Sequence, residues 1–180
     1  MKKELDAALV KKYPLLYRNR YGDPKETLMC WGFCVGDGRY NIIDTLSYLL
    51  CADYMYKKER YEDIKEYYEN GGKWPWKDGK EITPEEVEKD RLAMVEAEKC
   101  VPTVVQVKEK FGTLRFYVSR ATDKQYNYIT FAEAMSAVTC ETCGKPGRLF
   151  QRGWHYTACN EHANEEDLMD DEEENDTRGE

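Results

Sequence analysis

Nowhere in the 180 residues does an uninterrupted apolar stretch reach the roughly 18 side chains that a membrane span needs. The first six residues, Met1-Lys2-Lys3-Glu4-Leu5-Asp6, carry charge where an export signal requires an apolar segment. A cytoplasmic protein with no membrane partner is therefore expected. Histidine is scarce, with only His155 and His162. That disfavours nucleases built on several catalytic histidines, more so if one histidine is spent on a metal. No internal repeat is found, and no set of nucleophile, base and orienting group stands out. Cysteine is plentiful, but seven is an odd number, and a disulfide framework is disfavoured in a reducing compartment.

The formal net charge of −8 is unevenly placed. Of 35 acidic and 27 basic residues, ten acidic and one basic lie between Asn164 and Glu180, leaving 25 and 26 in the body. The acidity thus belongs to the tail, and the body is close to neutral, so partners cannot be argued from the overall charge. Hydrophobic residues at 41% suffice for a packed core.

The pattern along the chain predicts an α+β fold. A helix is expected over 2–13, with Leu5, Leu9 and Tyr13 on one side and Pro14 as its stop. From Tyr17 to Tyr40 the chain reads as irregular, with turns at Gly22-Asp23-Pro24 and Gly36-Asp37-Gly38. Met29 to Phe33 reads as a short strand or buried loop. Ile42, Ile43, Leu46, Leu49, Leu50 and Tyr54, then Tyr61, Ile64 and Tyr68, recur at helical spacing up to Asn70-Gly71-Gly72. They predict one long helix or two abutting ones. A loop follows, rich in aromatics (Trp74-Pro75-Trp76) and then polar (Lys77-Asp78-Gly79-Lys80). Thr83-Pro84-Glu85-Glu86 is a capping box opening a helix to about Lys99, with Val87, Met94 and Val95 facing inward. Val104, Val105 and Val107, then Leu114, Phe116, Tyr117 and Val118, predict a β-hairpin over 103–119 turning at Phe111-Gly112. A helix from about Asp123 to Val138 should lead into Cys140. Helices packed on a small antiparallel sheet would make up a body of residues 1–138. A zinc module over 139–163 and an acidic tail over 164–180, disordered or partly helical, would complete the chain.

Cys140-Glu141-Thr142-Cys143 is followed after fifteen residues by Cys159-Asn160-Glu161-His162. Zinc takes four borderline-soft ligands at tetrahedral positions, and each two-residue gap lets a tight turn present a pair. Gly144 lets the backbone fold around the metal with amides facing the thiolates. Leu149, Phe150, Trp154 and Tyr156 between the pairs read as a short hairpin whose aromatics cover the site. A treble-clef or zinc-ribbon module holding one structural zinc is expected, with the second pair at the start of a helix. His155 competes for the fourth position, but its three-residue gap to Cys159 is less usual than that of His162.

Other candidates have plain alternatives. Gln106-Val107-Lys108 has the form of half a magnesium-dependent nuclease site, but no clear upstream carboxylate to hold the metal precedes it, and an ordinary amphipathic strand is the better reading. Lys108, Lys110 and Arg115 on the hairpin, with Lys145, Arg148, Arg152 and Trp154 in the zinc module, offer a nucleic-acid or partner surface. A solvated face balanced by Glu109, Glu133 and Glu141 is the alternative. Cys30, Cys34, Cys51 and Cys100 fall in apolar surroundings. Cys30 and Cys34 could be half of a second metal site, but no partner pair is evident and small buried hydrophobes are the better reading. Trp74 and Trp76 could anchor a partner or pack against the helices. The tail could serve solubility or engage a basic surface.

Lys108-Glu109-Lys110-Phe111-Gly112-x-Leu114-Arg115-Phe116-Tyr117, then Cys140-x-x-Cys143-Gly144-x-Pro146-Gly147, Gly153-Trp154 and Cys159-x-x-His162, together resemble a family of short tailed-phage and prophage accessory proteins. The resemblance runs from about Gly32 to Ala163 and takes in Gly36-Asp37-Gly38, but an aromatic would stand where this chain has Arg39. It implies a phage genome, a host cytoplasm and a zinc module, and implies no activity. The expected function is thus a non-enzymatic, zinc-stabilised interaction protein that modulates or inhibits a host factor or defence system, its partner a host or phage protein. A nucleic-acid-binding protein and a metal-dependent nuclease are the alternatives.

Overall fold

The computed structural model describes residues 1–75 and 79–169. Helix α1 (Lys3–Lys12) has Glu4 and Asp6 in its first turn and Lys11 and Lys12 in its last, each sign at the end the helix dipole favours. Its buried Leu9 faces the core, and Asp6 pairs with Arg20 at 2.9 Å, fastening the irregular segment that follows. Residues Leu28–Trp31 form a 3₁₀ turn capped by Thr27, whose hydroxyl accepts from the Met29 amide.

Strand β1 (Phe33–Cys34) comes next, and after a 3₁₀ turn at Asp37–Arg39 the chain enters α2 (Tyr40–Glu69), one unbroken helix of 30 residues. Helix α3 (Pro84–Lys99) opens with the expected capping box. Strands β2 (Val104–Lys110) and β3 (Thr113–Val118) form the hairpin, followed by α4 (Asp123–Ser136).

The sheet departs from the expected antiparallel one. Its order is β1-β2-β3, and β1 runs parallel to β2 with Phe33 beside Val107. Two residues are too few to show a period, so this edge strand carries no sequence signal. A shift of register between Val104 and Gln106 lets Val104 and Val107, three apart, both reach the core. That core joins Leu9, Leu16, Met29, Phe33, Ile43, Leu46, Leu50, Val107, Leu114, Phe116 and Ile129, so α1, α2 and α4 all cover one face of the sheet.

The far half of α2 and the first turn of α3 make a second, smaller packing unit around Ile64, Trp74 and Ile82, with Val87 against it. Val87, Met94 and Val95 are only half-buried; the fully buried positions of α3 are Asp90 and Ala97. The reason is that α3 packs on α2 rather than on the sheet, and Arg60 of α2 draws in Asp90 at 2.9 Å. Trp74 thus packs against the helices, while Trp76, Lys77 and Asp78 lie outside the described residues. Among the described residues no helix is long and apolar enough to cross a membrane.

Candidate metal centre

Beyond α4 the chain makes the Cys140–Cys143 turn, a hairpin of β4 (Arg148–Phe150) and β5 (Tyr156–Ala158), and then a helical turn in which the His162 and Ala163 amides donate to the Cys159 carbonyl. These elements converge Cys140, Cys143, Cys159 and His162, whose ligand atoms all lie within 4.8 Å of one another. Cys143 Sγ lies 3.7 Å from Cys159 Sγ, and His162 Nδ1 lies 3.7 Å from Cys140 Sγ and 3.2 Å from Cys159 Sγ. A tetrahedral zinc with Zn–S about 2.3 Å and Zn–N about 2.0 Å places S···S near 3.8 Å and S···N near 3.5 Å. The three separations given lie close to those values, and the four residues are near enough to one another to hold one metal ion. His155 lies outside the cluster, its ring 5.8 Å from that of Phe111.

The backbone prepares the sulfurs unequally. Burial disfavours a thiolate at Cys140, but amides of Cys143, Cys159 and Thr142 outweigh it and bring the thiol down to about 6. Cys143 moves up: the Lys145 amide favours its thiolate, yet burial and the neighbouring sulfurs of Cys140 and Cys159 prevail. Clustered thiolates repel, and a cation between them removes that cost. Phe150 and Tyr156 stack at 5.0 Å beside Cys140 and Cys159, as the expected aromatic cover requires. Trp154 does not join it and is 80% exposed.

The module is seated on the body at a place that the sequence reading took for a simple turn. A Cβ on Gly36 would lie 2.1 Å from Glu141 O, and one on Gly38 2.2 Å from Cys140 O; the Gly38 amide donates to Glu141 O at 2.9 Å. Only glycine lets the two backbones come so close. Beneath this contact lies Arg39, fully buried. Its guanidinium donates to Ser136 O, to Thr139 O at 2.6 Å and to Gly112 O at 2.9 Å. Thr157 of β5 also donates to Gly112 O, at 2.6 Å. Three segments distant in sequence, Gly36–Arg39, the hairpin turn and the cysteine turn, thus meet around one side chain. An aromatic at position 39 could not make these bonds. Sequence reasoning missed Arg39; its only signal was a lone arginine between a glycine pair and an apolar helix.

The remaining candidates separate. Lys108, Lys110 and Arg115 share the outer face of the hairpin, whereas Lys145 is held by Glu161 through two 2.8 Å contacts. Arg148 lies over the Phe150 ring at 4.7 Å. All seven cysteines are free thiols, but only Cys51 of the four outside the cluster is buried; Cys34 and Cys100 are exposed and Cys30 is half-buried. Residues 165–169 are helical, with Leu168 against the module core and Asp167 accepting from the Tyr156 hydroxyl, so the first part of the tail packs on the module. The disorder expected for the rest, 170–180, lies outside the described residues. The chain matches no protein-family model, no curated protein and no solved structure, so a functional reading stands on the geometry.

Proposed function

We propose that Cys140, Cys143, Cys159 and His162 hold one structural zinc ion in a treble-clef-like module, and that the chain is a non-enzymatic, zinc-stabilised interaction protein. The observation that carries this reading is the closure of the donor set. Three thiolates and an imidazole at tetrahedral spacing leave no coordination position for water or substrate, and such soft donors favour zinc over magnesium or calcium. The resemblance to phage accessory proteins supplies the setting: a host cytoplasm, and a host or phage protein whose action the chain modulates. A magnesium-dependent nuclease centred on Lys108 has less support. Among the described residues no second group of three or more such donors converges, and Glu109 is turned onto the Gly112 amide at 2.5 Å.

The test is metal analysis of the purified chain, followed by incubation with labelled DNA, RNA and nucleoside triphosphates in magnesium. One zinc per chain and no turnover are expected. Cleavage that disappears in Lys108→Ala would establish the nuclease instead. A Cys143→Ser variant retaining full zinc would refute the ligand set.

A further inference from the structure

The three-stranded sheet has one face buried in the core and another whose side chains are half-buried or, at Lys110 and Tyr117, exposed. Val107, Leu114 and Phe116 point into the core, so their strand neighbours Gln106, Lys108, Lys110, Thr113, Arg115 and Tyr117 point the other way. On that outer face Lys108 stands directly opposite Arg115, with Lys110 two residues along the same strand. Like charges directly opposed across an antiparallel pair destabilise it. Glu109, the one acidic residue of the hairpin, belongs to the other face, where it accepts from the Gly112 amide. Glu133 of α4 reaches Arg115 only at 4.0 Å. Lys108 rests 5.5 Å above the Tyr117 ring, and Tyr117 is still 43% exposed.

The strip ends at the turn, where Phe111 has φ 53° and Gly112 φ 76°. Two left-handed residues in a two-residue loop make the turn that Asn-Gly usually fills, and a bulky side chain at the first is uncommon. The Phe111 ring is 63% exposed. With Trp154 and His155 it walls a hollow of about 320 Å³ that touches both Lys110 and Glu109, the latter turned onto the Gly112 amide.

We propose that this outer face binds single-stranded nucleic acid. The opposed cations would be neutralised by phosphates, and Tyr117, Phe111 and Trp154 offer flat rings on which bases stack, the combination by which sheet surfaces hold single strands. The site is the hairpin face and its tip, apart from the zinc cluster and from Lys145, which Glu161 already occupies. It stands independently of the protein partner proposed above.

The experiment uses the full zinc-loaded chain with fluorescein-labelled oligothymidylate and oligouridylate, each of twelve nucleotides, read by anisotropy across a salt series. Three phosphate contacts give a slope of log affinity on log salt of roughly −2. Lys108→Gln with Lys110→Gln should weaken binding at least tenfold and flatten that slope by roughly 1.4. Tyr117→Ala should weaken binding several-fold and leave the slope unchanged, since stacking releases no counterions. Unliganded Lys108→Gln should unfold no lower than the parent. A drop of several degrees would show Lys108 to be a structural residue and overturn the assignment. So would an absence of binding, equal binding of a twelve-base-pair duplex, or displacement by polyglutamate as readily as by oligonucleotide; the last would mark the face as one for acidic proteins. Zinc content measured on each variant keeps this outcome separate from the fate of the metal site.

Discussion

Arg39 is 1% exposed, and burial in itself pushes its guanidinium below the usual range, with Glu141, 3.9 Å away, partly offsetting this. What justifies the buried charge is the planar fork of donors. A lysine, whose three donors share one nitrogen, cannot reproduce a fork in which one nitrogen serves Ser136 O and Thr139 O and the other serves Gly112 O. Arg39→Ala should therefore cost about 3 kcal/mol in urea unfolding, since three carbonyls lose a charged donor at once and only Gly112 O keeps another side-chain donor, Thr157. Arg39→Lys should recover less than half of the loss. Stability in either variant within 1 kcal/mol of the parent would show that water can replace the guanidinium. A second expectation concerns the thiols. Burial pushes Cys51 up to about 12, while Cys34 and Cys100 are exposed, so a thiol reagent should modify the latter two first. Chelation should then release three more sulfurs, those of Cys140, Cys143 and Cys159. Mass mapping of the modified peptides checks both statements, and modification of Cys140 before chelation would contradict them. The metal ligands were legible because two pairs at fixed spacing are a local pattern. Arg39 was not, because its partners lie 73 to 100 residues away and nothing beside it in sequence announces them.

The elements divide along the same line between local and distant causes. The α3 start was legible because Thr83 and Glu86 satisfy each other's backbone within one turn. The hairpin was legible because alternation and Phe111-Gly112 both act at short range. The parallel edge strand was not, since its two residues pair with a partner more than seventy positions on. Nor was the role of Gly36-Asp37-Gly38, whose turn-like composition conceals a seat for the cysteine turn. Gly38→Ala tests that role. The added methyl would meet Cys140 O at 2.2 Å and Gly144 N at 2.5 Å, both of them backbone atoms that cannot swing aside. The variant should lose at least about 2 kcal/mol and release zinc faster to a chromogenic chelator than the parent does. Gly79→Ala, at a glycine with open space around it but φ 73°, should cost about 1 kcal/mol in backbone strain yet leave zinc release unchanged, and so serves as the control for a strained but remote glycine. Equal release rates in the two variants would mean that the close approach at Gly38 does not hold the module.

For the molecule as a whole, the question is whether the module is a separable appendage or part of one cooperative unit. The module's own core is small, formed by Cys140, Phe150 and Ala158 with their partly buried neighbours. A core of that size cannot offset the entropy of ordering some thirty residues, so the module depends on the metal and on the body. Its contacts with the body include Arg39 to Thr139 O, the Gly38 amide to Glu141 O, the Gly147 amide to Val138 O at 2.9 Å, and the buried bond from Thr157 to Gly112 O. Ser136, which accepts from Arg39, also caps the Leu114 amide of β3 through its hydroxyl at 2.8 Å. Loss of the metal is thus felt in the hairpin, beyond the module itself. Stripping zinc should lower the main unfolding transition by several degrees and reduce amide protection at Gly112 and Leu114 together with that at Cys140 and Thr157. Protection in α3 should be untouched, because α3 packs chiefly on α2, its first turn beside Ile64 and Ile82. Hydrogen exchange on the holo and stripped chains distinguishes the cases. If only residues beyond Thr139 lost protection, the module would be an independent appendage, and Arg39 would hold it in place without carrying its state to the sheet.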